Sequence, residues 1–124
     1  MASMSDRHQF QIIQDVVSTV LSHVEDGWKQ LVIDYHVDDR RCNFHNSYLI
    51  DVDGGEKEKF LSSPNGLDPL LRELRNHLAH SGGEKFSSCR LHLWWDGKFD
   101  AKYGFGKVDW RALMLVSGGN FKSN

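Results

Sequence analysis

Seven histidines make metal binding or acid–base work the first chemistry to consider, since imidazole is both a common metal ligand and a group that titrates near neutral pH. His36 and His45 have the most suggestive placement. If residues 28–37 and 42–50 pair as a hairpin, Asp34 falls opposite His45 and His36 opposite Asn43. Such a polar cluster could hold a zinc ion. No HxxxH or CxxC spacing accompanies it, and solvated residues joined by cross-strand hydrogen bonds give the same pattern. His77 and His80 stand three apart near the end of a helical stretch, where the helix dipole favours a cation without any ligand. His8 and His23 fall on solvent-facing positions of an earlier helix. Cys42 and Cys89 occupy core-facing positions and read as small buried hydrophobes, not as a disulfide pair. There is no GxSxG elbow, catalytic-cysteine signature or phosphate loop. Gly104 and Gly106 flank Phe105 without a helix of suitable length after them, and the paired acids Asp38 and Asp39 suit a turn. The sequence therefore predicts no catalytic site, no resident metal and no cofactor.

Recognition chemistry is better represented. Arg90, His92 and Trp94 alternate along residues 86–95, with Lys98, Asp100 and Lys102 close by on the next segment. A large aromatic among polar groups on an uncovered sheet face is a candidate hot spot, because Trp and Arg dominate interface energetics. Trp94 would be the anchor, Arg90 a fork-shaped donor and Asp34 an acceptor for a partner's Lys or Arg, with His36, His45 and His92 beside them. The competing reading packs Trp94 under the tail or under the 53–66 loop. Two other functions use the same residues: a nucleic-acid platform that stacks bases on Trp94 beside Arg90, Lys98 and Lys102, and a small metal-dependent hydrolase on the His36/His45 face. A formal charge of −2 argues against non-specific nucleic-acid binding, which needs a basic surface. Asp38, Asp39 and the acidic stretch DVDGGEKEK could complement a basic partner.

These residues need strands and helices to place them. Asp6 followed by Gln9 suggests a capping pair before an amphipathic helix with an apolar stripe of Phe10, Ile13, Val17, Val20, Leu21 and Val24. Asp26-Gly27 would end it. Leu31, Ile33, Tyr35 and Val37 alternate as in a strand, Asp38 to Arg41 form a turn, and Cys42, Phe44, Tyr48 and Ile50 continue a second strand. A four-residue loop pairs Val37 with Cys42, Tyr35 with Phe44 and Leu31 with Tyr48, so both apolar sets share one face. Residues 53–66 are charged and rich in Gly, Ser and Pro, which predicts a loop. Asp68-Pro69 reads as an N-cap and first-turn proline for a helix with Leu67, Leu70, Leu71, Leu74 and Leu78 on its apolar side, ending at Ser81-Gly82-Gly83. Asp96-Gly97 then joins two further strands. A plain two-residue turn would set Leu93 opposite Asp100, so a bulged turn with Gly97 at the left-handed position is predicted, pairing Leu93 with Phe99 and Leu91 with Ala101. Asp109 starts a last helical turn through Met114, and residues 115–124 are expected to fray.

The 124 residues suit one domain, with its core in about 6–114. A hydrophobic share of 40% and a charged share of 26% belong to a globular chain. No apolar run approaches the ~20 residues that cross a bilayer, and the first residues lack an apolar signal segment, so a soluble cytoplasmic protein is expected. The expected class is α+β in the order α-β-β-α-β-β: a four-stranded antiparallel sheet with two helices packed on one face.

Three stretches then resemble the YezG-like immunity (antitoxin) family of bacterial polymorphic toxin systems: GWKQLVIDYHV at 27–37, LDPLLRELRNHL at 67–78 and LHLWWDGKFDAKYGF at 91–105. The last resembles that family's terminal hairpin, with its DGKF turn and aromatic strand. Together the stretches span most of residues 6–114. The resemblance implies a cytoplasmic protein that binds the C-terminal domain of a cognate toxin, often a nuclease, and blocks it without chemistry of its own, as in contact-dependent growth inhibition. It carries no binding residues over, since immunity interfaces vary with the toxin.

Overall fold

The computed structural model describes residues 8–115 and 118–121. Its centre is the strand β1 (Trp28–Val37), which pairs antiparallel with β2 (Cys42–Val52) on one side and β4 (Ser88–Trp94) on the other. Leu31, Ile33, Tyr35 and Val37 are fully buried on one face. The hairpin has the expected register, with Val37, Tyr35 and Leu31 opposite Cys42, Phe44 and Tyr48.

The sheet has five strands in the order β3-β2-β1-β4-β5, not four. The extra strand is β3 (Gly55–Leu61), which pairs with β2 where a loop was expected. Its sequence GEKEKFL gives no apolar alternation. The two-residue Asp53-Gly54 turn sets it against β2, and polar side-chain contacts add to the ladder: Lys59 pairs with Glu25, and the Ser47 hydroxyl donates to Glu58. Charges on an edge strand discourage pairing with other chains, which explains a strand of this composition. The β4–β5 hairpin, with β5 at Phe99–Gly104, has the predicted bulged register. Leu93 faces Phe99 and Leu91 faces Ala101, with Gly97 at φ 94°.

Helices α1 (Gln9–Leu21) and α2 (Leu67–His80) pack on each other and on the apolar sheet face. The His8 ring accepts from the Phe10 amide, and the Gln11 side chain accepts from the His8 amide. These groups cap α1, while Asp6, expected to do so, lies outside the described residues. The buried stripe is also rotated from expectation: Ile12, Ile13, Val16 and Val20 are buried, and Phe10 is exposed. A helix wedged against both a sheet and a second helix buries a wider arc than one stripe, which brings Ile12 and Val16 inside. For α2, Gly66 at φ 92° is the N-cap, and Asp68 does not cap. The Asp68 carboxylate instead accepts from the Tyr35 hydroxyl at 2.5 Å and from Arg72. Pro69 is tolerated because first-turn amides lack helical acceptors.

A third helix, α3 (Trp110–Met114), is capped by Asp109 and buries no residue. Trp110 Nε1 donates to Asp38, and Arg41 lies over the Trp110 ring at 4.3 Å. Among the described residues the fold is thus α+β with five strands and three helices. No helix among the described residues is long and apolar enough to cross a membrane.

Candidate protein-binding face

Strand alternation places Arg90, His92 and Trp94 on the face turned away from α1 and α2. Their β1 neighbours are Asp34, Val32 and Gln30, respectively. On the other side of β1, Asp34 lies opposite His45 and His36 opposite Asn43, as the hairpin register predicted. The face therefore brings Asp34, His45, Arg90, His92 and Trp94 together.

The His92 and Trp94 rings stack nearly parallel, with centroids 3.9 Å apart at 9°. His92 Nε2 lies 2.8 Å from Gln30 Oε1. That oxygen can only accept, so Nε2 carries the proton. Burial, followed by the Arg90 charge, pushes the His92 pKa below its ordinary value. The ring lies flat against Trp94 in surroundings that disfavour its protonation. Arg90 Nη1 lies 3.6 Å from Asp34 Oδ2 across the strands.

This face is not uncovered. Residues 118–121, expected to fray, run across it. His45 Nε2 donates to the Gly118 carbonyl at 2.7 Å. The Asn120 side chain donates to the His45 carbonyl at 3.0 Å and to Ser47 Oγ at 2.9 Å. The Asn120 amide donates to Glu58 at 2.7 Å, Arg90 donates to the Asn120 carbonyl, and Phe121 lies edge-on to His92. Val32, in the middle of the face, is fully buried.

His36 lies on the same face, two residues beyond Asp34 and toward the opposite end of β1 from Trp94. It pairs with Ser88 at the far end of β1, beside a cavity of about 280 Å³ bounded by Ser88, Gly104, Val108 and Leu113. Its Nδ1 is buried with no hydrogen-bond partner. No group of three His, Cys, Asp or Glu side chains able to hold a metal ion occurs among the described residues. Three of the acids read as a possible patch make contacts within the fold. Asp38 accepts from the Arg40 and Arg41 amides and then from Trp110, which lower its pKa. Asp39 pairs with Arg75, and Glu58 holds Ser47 and Asn120. Cys89 is fully buried, and that burial pushes its thiol up to about 12.

One feature was missed from the sequence. Between α1 and the β4–β5 hairpin runs an apolar groove of about 680 Å³, lined by Ile13, Val17, Trp28 and Leu93. Phe10, Trp95 and Phe99 also line it and remain 61%, 64% and 42% exposed. The Trp94-Trp95 doublet was the available signal. Both tryptophans line the groove, and Trp94 also joins the polar face through its stack on His92. Compared with known proteins, the chain matches no protein-family model and no curated protein.

Proposed function

We propose that this chain is an immunity protein. It binds the C-terminal domain of a cognate bacterial toxin, a nuclease in the reading we favour, and neutralises it by occluding the active site or substrate cleft. The observation that carries this reading is the His92–Trp94 stack beside the Arg90–Asp34 pair. A rigid aromatic anchor next to a fork-shaped donor is the composition of an interface hot spot, and strands hold it more firmly than a loop would. The resemblance of residues 27–37, 67–78 and 91–105 to immunity proteins supplies the class of partner. The proposal places the protein in the cytoplasm of the cell that makes the toxin, with no chemistry of its own.

The nucleic-acid reading is weaker on this geometry. The formal charge of −2 disfavours it, and Asp34 and Asp100 stand on the same face as Arg90 and Lys102. The test is to co-express the chain with the product of the adjacent toxin gene, purify the pair and titrate one against the other. A tight one-to-one complex that abolishes toxicity supports the proposal. A neighbouring toxin that stays active and unbound refutes it, and steeply salt-dependent binding to nucleic acid would replace it.

A further inference from the structure

The segment Gly118–Phe121 fills the polar face as a ligand would. Its ties match what an extended peptide offers: the Gly118 carbonyl meets His45, the Asn120 amide meets Glu58, the Asn120 carbonyl meets Arg90 and the Asn120 side chain meets His45 and Ser47. The Phe121 ring closes the row against the His92 wall at 80°. We infer that this face is a site for an extended peptide segment, filled in the free protein by the chain's own residues 118–121. A partner enters by replacing them with a segment that carries an amide side chain followed by an aromatic one. The inference rests on the proposed function only for the identity of that partner.

Two features make the strap replaceable rather than part of the core. Its ties are polar apart from Phe121, and the floor beneath it is mostly polar too: Ser47, Glu58, His45 and Arg90 accept water when it leaves. Segments with few buried apolar contacts open at low cost. The approach also depends on glycine. A Cβ at Gly119 would overlap the Glu58 carboxylate, which already holds Ser47 and Asn120. Glycine loses more backbone freedom on ordering than any other residue, so Gly118-Gly119 weakens the closed state that it makes possible.

The test uses the full chain and a labelled synthetic peptide with the sequence of residues 117–124, SGGNFKSN. Binding is measured to the wild type, to Asn120→Ala and to Phe121→Ala. A closed strap reduces the fraction of sites open to the peptide, so both variants should bind it about tenfold or more tightly than wild type. A peptide with alanine in place of its asparagine should lose that gain. Equal binding by all three chains, or binding by none, overturns the inference. So does loss of folding in both variants, because residues 118–121 would then belong to the core. No toxin enters this experiment, so its failure leaves the immunity reading standing. Peptide exchange without any toxin complex would sink only the latter.

Discussion

Arg75 offers the sharpest test of what holds the site-bearing strand in place. Its guanidinium faces two partners of different kinds. Nε donates to the Phe86 carbonyl at 2.7 Å, and Nη1 lies 3.1 Å from Asp39. The Arg75 side chain is 10% exposed, whereas that of Asp39 is 77% exposed. An ion pair with one partner in water contributes roughly 0–1 kcal/mol. A buried charge-assisted hydrogen bond contributes about 1.5–3 kcal/mol, and removing its donor leaves a buried carbonyl without a partner. Arg75→Met keeps most of the apolar stem, so it should cost about 2 kcal/mol through the Phe86 bond. Asp39→Asn should cost less than about 1 kcal/mol and nothing measurable at high salt. Urea denaturation of both variants, with unchanged slopes, measures these values. Equal losses, or a larger loss for Asp39→Asn, would refute the argument and make the ion pair the tie that matters. Phe86 packs on Tyr35 and Tyr103 just before β4, so this tie also helps fix the strand that carries Arg90, His92 and Trp94.

Tyr35→Phe should cost about 1.5 kcal/mol, the low end for a bond to a charged acceptor, because Arg72 still serves Asp68. Burial alone would raise the Asp68 pKa, but hydrogen bonds from Tyr35, Cys42 and Arg72 outweigh it and hold it below 3.8. That stability is present above 3.8 and lost as pH falls through the lower folded value, so the Tyr35→Phe difference should shrink in acid denaturation. His92 is likewise depressed from 6.5, with the neutral ring favoured in the fold. Thermal unfolding should show the wild type losing stability as pH falls below 6.5, and His92→Gln losing less; parallel pH profiles would rule this out. In titrations with a cognate toxin domain, Trp94→Ala should weaken binding by more than ~2 kcal/mol, about thirtyfold in Kd. Trp95→Ala should change it by less than about 1 kcal/mol, as expected outside the hot spot; the reverse order would move the interface to the α1 groove.

The sequence made most of the scaffold legible where the core imposes a period. The β1–β2 register followed from apolar residues two apart, and the structure has Tyr35 opposite Phe44 as that alternation demands. The bulged β4–β5 turn followed from one energetic choice, since a plain turn would have put Asp100 opposite Leu93. Both inferences use local pattern and burial, and both are strong because a slip by one residue would invert an entire face. The candidate cluster was partly legible for the same reason. Alternation put Arg90, His92 and Trp94 on one side, with His36 on the same face two residues beyond Asp34 and opposite Ser88.

What stayed hidden has a common physical cause. Strand β3 is an edge of the sheet and residues 118–121 run across one of its faces, and a polar contact ties the two together. Glu58 belongs to the first and accepts from an amide of the second, 62 positions away. A hydrogen bond of that span leaves no periodicity in either segment, and Gly, Ser, Lys and Glu resemble a solvated loop whether or not they pair. Polar elements of this kind add little to the core, so their value lies in what they cover. Here Asn120 bonds Ser47 and Glu58, and Phe121 reaches His92 on the face proposed for the toxin. A binding face lined by buried polar groups needs those groups satisfied in the free protein as well as in the complex. Residues 118–121 meet that need in the free protein, where Gly118 and Asn120 keep His45, Ser47, Glu58 and Arg90 hydrogen-bonded.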